Sequence, residues 1–169
     1  MEENADKKIE FAEKLKLFFI EHKIKIILII SFFLLILIIF SIMKVNQERE
    51  NILISEKFIK ANIFLSTQNE DKSKELYEEI IKSKNKFYSI LALNTIIEKE
   101  LENDENIIIN YFDILQDLSI SRDQRDLLIF KKALYLIQIS KTKEGKDLLK
   151  KLSNSNSYLK NIADQILEN

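Results

Sequence analysis

Hydrophobic and polar positions alternate with different rhythms in two parts of the chain. The 18 residues 26–43 read IILIISFFLLILIIFSIM, without a charged residue and without Gly, Ala or Pro. A helix of that length rises about 27 Å, close to the roughly 30 Å of bilayer hydrocarbon, and Ile24 can extend it slightly. A core helix of a water-soluble domain is apolar along one face; this stretch is apolar all round and predicts a membrane span. It is longer than the roughly 7–15 residues of a signal-peptide core. The exit, Ser41-Ile42-Met43-Lys44, offers no small-x-small cleavage pattern, so the span is expected to remain as an anchor.

Beyond the span, apolar residues recur at three- and four-residue intervals between short polar breaks. This pattern predicts helices at 46–66, 70–83, 86–101, 105–118, 121–140, 142–153 and 156–168. Capping residues mark several starts: Asn103 and Asp104, Ser121, and Ser155 or Asn156. Nothing between Met43 and Ile52 stops a helix, so the first of these should continue from the span. With no Pro and one Gly, the chain lacks the turn residues of β-hairpins. The expected architecture is therefore all-α: a cytoplasmic segment 1–23, one transmembrane helix 24–43 and a helical domain 44–169.

A self-comparison at a separation of 72 residues pairs Phe58 with Phe130, Ala61 with Ala133, Phe64 with Leu136, Ser73 with Gly145, Tyr77 with Leu149 and Ile80 with Leu152. One residue out of step, Tyr88, Leu91, Ala92 and Ile96 pair with Leu159, Ile162, Ala163 and Leu167. Such an offset is what stacked helical hairpins give. Ala61 and Ser73 are twelve apart, as are Ala133 and Gly145, and two helices of a hairpin approach closely only where small side chains meet. Tyr77 and Leu149 follow four places later and should wedge beside the crossing. The spacing resembles the tetratricopeptide repeat, with about three hairpins and a capping helix. The middle hairpin keeps Ala92 twelve before Asp104, and the repeat's closing proline is missing. The repeat's groove positions fall on Ser55, Phe58, Asn62 and Leu65 in the first hairpin and on Leu127, Phe130, Leu134 and Gln138 in the third. Most are apolar, which implies an apolar client or the chain's own terminal helix as occupant, and no basic clamp for a carboxylate.

A short charged N-terminal segment with Ile9-Glu10-Phe11-Ala12-Glu13-Lys14-Leu15, one span and a hairpin domain together resemble the bacterial family typified by the ancillary subunit of the SecYEG translocon. The tryptophan and glycine common before that family's span are replaced here by Phe18, Phe19 and Ile20. The resemblance implies a scaffold of the inner membrane that meets translocon subunits, periplasmic chaperones or newly translocated client segments.

Charge refines this picture. Lys14, Lys16, Lys23 and Lys25 precede the span against Lys44 and Arg49 after it, which favours a cytoplasmic N-terminus and a periplasmic domain. Residues 44–169 carry 20 basic and 21 acidic residues without a block of one sign, which argues against nucleic acid as partner. The only His, His22, precedes the span, and there is no Cys, so the domain has no imidazole-supported nucleophile and no zinc-ligand cluster. A lone Gly145 excludes a glycine-rich phosphate loop. Glu100, Glu102, Asp104 and Glu105 lack the spacing of a calcium loop and read as a solvated turn. The expectation is a binding protein that is not an enzyme, with no cofactor, metal or small-molecule substrate. A structural envelope protein that self-associates or serves a division or assembly complex is the alternative.

Overall fold

The computed structural model describes Ile20 and residues 22–168. The segment expected to lead into the membrane, with Lys14, Lys16, Phe18 and Phe19, lies outside the described residues. The chain is all-helical, with seven helices among the described residues: α1 (Lys23–Ser66), α2 (Glu70–Lys82), α3 (Tyr88–Glu98), α4 (Glu105–Gln116), α5 (Arg122–Gln138), α6 (Thr142–Ser153) and α7 (Lys160–Glu168). Contacts divide the chain into two compact units, one ending at Glu50 and the other beginning at Asn51.

In the first unit, α1 is long and apolar enough to cross a membrane, and none of its most apolar 18-residue window is buried inside the protein. Phe32, Phe33, Leu34, Leu35 and Leu37 are all exposed. An apolar surface left exposed among the described residues suits single-pass anchoring in lipid, where a helix satisfies its own backbone groups.

The second unit is a run of helical hairpins. The last turns of α1 pair with α2, α3 with α4 and α5 with α6, while α7 packs on α6. Its larger core gathers Tyr77, Ile80, Ile81, Leu93, Ile96, Phe112 and Leu115, all at most 1% exposed; a second cluster joins Ala133, Leu149, Leu152 and Ala163. Rings interlock between elements: Phe58 lies 5.7 Å from Tyr77 and 5.6 Å from Tyr88, and Phe112 lies 6.0 Å from Tyr135, centroid to centroid. Such edge-on and tilted pairs add roughly 0.5–1.5 kcal/mol each beyond area burial.

How the chain turns with one glycine is visible in the backbone. Gln68, Lys84, Glu100 and Ser140 take φ of 59°, 58°, 52° and 65°, the left-handed conformation that usually falls to glycine. At three of these ends the next residue reaches back over the last turn. Asn69 N–H donates to Phe64 O at 2.9 Å, Leu101 N–H to Ile96 O at 3.0 Å and Lys141 N–H to Leu136 O at 2.8 Å. Each non-glycine residue so placed costs on the order of 1 kcal/mol, offset by satisfying helix-end carbonyls.

Several helix starts follow side-chain caps, with corrections to the expected ends. Ser121 and Gln124 form a reciprocal capping box at α5, and Asp104 Oδ1 accepts Asn106 N–H at 2.8 Å to open α4. The third helix begins at Tyr88 rather than 86, because Asn85 Oδ1 accepts the N–H groups of Phe87 and Tyr88 and holds Lys86 outside. The last begins at Lys160 rather than 156. There Ser157 Oγ, not Ser155 or Asn156, accepts a backbone N–H, that of Leu159.

Candidate functional site

The residues singled out for packing lie at the two hairpin crossings. Ala61 and Ser73 are both fully buried, and Ser73 Oγ donates to Ala61 O at 3.0 Å. Gly145 sits over α5 so closely that a Cβ added there would lie 2.7 Å from Ala133 O. In both hairpins the small residue of the second helix therefore rests on the carbonyl of the small residue of the first. Tyr77 and Leu149 are each fully buried beside these contacts. The middle hairpin departs from the pattern: Ala92 is buried, but Asp104 is an exposed cap at the start of α4, not a crossing residue. The six residues between α3 and α4 lengthen that connection and shift the second helix out of the twelve-residue register. The small buried residue Ser89 of α3 serves the preceding helix instead: its hydroxyl donates to Ile80 O at 2.7 Å and draws α3 onto α2.

The expected groove residues do not form one surface. Phe58 and Leu65 pack against the larger core and Phe130 against the smaller one. Ser55 is half-buried. Asn62 is exposed, with its Oδ1 accepting the Tyr77 hydroxyl at 2.8 Å. Leu127, Leu134 and Gln138 are exposed on α5. Of the eight, only Leu127 lines the apolar slot that the domain does present, a cavity of about 180 Å³.

That slot lies between the N-terminal halves of α3 and α5. Lys86, Phe87, Ile90 and Leu91 form one wall. Gln124, Leu127, Leu128 and Lys131 form the other, so five of the eight lining residues are large and apolar and none is acidic. Phe87 is 61% exposed and Leu127 38%, an apolar mouth open to solvent. Lys131 Nζ donates to Asn94 Oδ1 at 2.8 Å, a neutral partner, and Lys86 has no ion-pair partner among the described residues. The wall from α3 belongs to the hairpin that lacks the small-residue spacing, so the repeat's groove positions do not reach it. The signal was present all the same: Phe87, Ile90, Leu91 and Asn94 fall at i, i+3, i+4 and i+7, beside the core-facing set of Ser89, Ala92, Leu93 and Ile96.

The acidic group near the α3–α4 connection is not a solvated turn throughout. Glu102 is 8% exposed; its Oε1 accepts Asp104 N–H at 2.8 Å and its Oε2 lies 2.8 Å from Lys74 Nζ. Glu105 lies 3.6 Å from Lys141, and Glu100 occupies the left-handed turn. Among the described residues, no group of three or more His, Cys, Asp or Glu could hold a metal ion. Burial alone would raise the Glu102 pKa; the Asp104 N–H, the Lys74 ammonium and the Asn103 N–H outweigh it and hold the carboxyl below its ordinary value of 4.5. Lys74 is raised, first by its bond to Glu102. A carboxyl with a depressed folded-state pKa adds stability above its unfolded-state pKa and loses it as pH falls through the folded value. Glu102→Gln is therefore expected to cost about 1–2 kcal/mol at neutral pH, and the gap to wild type should close on acidification. Denaturant titrations at neutral and acid pH check this; a gap that persists at acid pH would assign the effect to packing instead.

Compared with protein-family models, curated proteins and solved structures, the chain matches none.

Proposed function

We propose that the chain is a membrane-anchored protein-interaction scaffold whose tetratricopeptide-like hairpins hold a partner segment in the slot between α3 and α5. The observation that carries this reading is the open apolar mouth of Phe87 and Leu127 on a domain that follows an apolar helical span. Grooves between stacked hairpins are rigid surfaces on which a partner segment can lie, and a central pocket filled by one bulky side chain is how such contacts gain affinity. The lysine bias before the span supports an inner-membrane protein with its domain in the periplasm. The resemblance of the whole plan to the ancillary translocon subunit supports translocon subunits, chaperones or newly exported chains as its partners. The lack of His and Cys in the domain supports binding over catalysis as the role.

An envelope protein that self-associates is the second reading, favoured by Ile52, Ile59 and Ile63. These fall seven and four residues apart on α1, each at least 55% exposed, on the side away from Ile54, Phe58, Ala61 and Leu65 in the core. Protease added to intact spheroplasts should digest the domain, and crosslinking with mass spectrometry should recover export components through α3 and α5. Protection of the domain until the inner membrane is broken would overturn the topology. Crosslinks confined to second copies through Ile52, Ile59 and Ile63 would select the envelope reading.

A further inference from the structure

We infer that the slot between α3 and α5 selects protein segments in which a large apolar side chain stands next to an acidic one. This rests on the reading of the slot as a docking face and names the chemistry of its occupant.

Size restricts the choice first. Ligand sites for drug-sized molecules run from about 300 to 1,000 Å³, whereas an apolar cavity of about 150 Å³ takes a single benzene. At about 180 Å³ the slot has room for one aromatic or branched aliphatic side chain, and its mouth is open to the chain that would carry it. An acyl chain or a cofactor does not fit; an anchor residue of a peptide does.

Charge restricts it further. Two ammonium groups flank an apolar floor, no acidic side chain shares the lining, and neither lysine is neutralised: Lys131 bonds a neutral amide and Lys86 has no ion-pair partner among the described residues. The N-termini of α3 and α5 lie beside the slot as well, but α5 carries Asp123 in its first turn, so the positive charge of the mouth comes from the two lysines. The chain as a whole carries a net charge of −1, so this positive mouth is local and not a consequence of a basic protein. Rim charges of this kind discriminate partners and speed their approach more than they add affinity, while the buried anchor holds them.

The test uses the full chain in nanodiscs of zwitterionic lipid and three fluorescein-labelled, C-amidated decapeptides in a Gly/Ser background. One has a central Phe flanked by Asp, one has the same Phe flanked by Lys, and one replaces Phe by Ala between the Asp residues. Fluorescence anisotropy should show the Asp–Phe peptide binding about tenfold or more tightly than either of the others. Lys86→Glu with Lys131→Glu should invert the preference between the Asp and Lys peptides. Lys86→Glu alone, at an exposed site without an ion-pair partner, should narrow the preference without touching the Lys131–Asn94 bond. Equal binding of both Phe peptides, or an order unchanged by charge reversal, would overturn the selectivity while leaving the docking face standing. The docking face itself fails differently: the Phe and Ala peptides then bind alike, and Leu127→Asp changes nothing.

Discussion

Gly145→Ala is expected to destabilise the domain, although a Gly→Ala change inside a helix ordinarily stabilises it by about 1 kcal/mol. The reversal of sign comes from what the new Cβ would meet. It would lie 2.6 Å from Ile137 Cγ1, 2.7 Å from Ala133 O and 3.2 Å from Ile137 N. The Ile137 side chain can rotate away, but the carbonyl and amide belong to the backbone of α5, so α6 itself must move. That movement would open the second core cluster, where Leu149 and Leu152 of α6 meet Ala133 and Ala163. Gly145→Leu should cost about 3 kcal/mol or more, the upper end of overpacking. Thermal melting of the full chain in micelles measures both, with Glu144→Ala, at an exposed position one residue earlier, as the control for helix propensity. A midpoint raised by Gly145→Ala would mean that α5 and α6 do not cross at this glycine.

Why this crossing was legible in the sequence, and the slot was not, has a physical basis. A small residue at a close helix approach is a steric requirement, and a fixed loop length turns it into a fixed spacing. Ala61 with Ser73 and Ala133 with Gly145 are twelve apart because each pair spans a three-residue connection, 67–69 and 139–141. The apolar run of α1 and the alternation of helices were legible for a similar reason, since both are one-dimensional patterns. Between α3 and α4 the connection is six residues long, the spacing is lost, and Asp104 becomes a cap. Glu102 carries no mark of burial in the sequence, because its burial depends on Lys74 reaching it from α2. The slot depends on two helices separated by a whole hairpin, and its lysines can be read as binding groups only once α3 and α5 are side by side. Phe58 and Phe130 could fill either core or groove by sequence; the rings of Tyr77 and Tyr88 place Phe58 in the core.

Truncating Tyr77 should have a still larger effect and separates packing from hydrogen bonding in the first hairpin. Its ring is fully buried, stands at 61° to that of Phe58, and its hydroxyl donates to Asn62 Oδ1. Tyr77→Ala removes the wedge beside the Ala61–Ser73 crossing and should cost about 3–5 kcal/mol, as other aromatic-to-alanine changes in cores do. Against a total stability of roughly 5–15 kcal/mol for a domain, that removes between about a fifth and the whole of the margin. Tyr77→Phe keeps the ring and removes a hydroxyl that donates to the exposed Asn62 and also interacts with the side chains of Ser73 and Thr95, so about 1–2 kcal/mol is expected. Tyr77→Leu should fall between the two, because Leu149 fills the matching place in the third hairpin with complete burial. Urea titrations of the full chain in micelles should thus rank the losses Phe, Leu, Ala in increasing order. A loss for Phe as large as that for Ala would make the hydroxyl, not the ring, the group that holds α1 to α2.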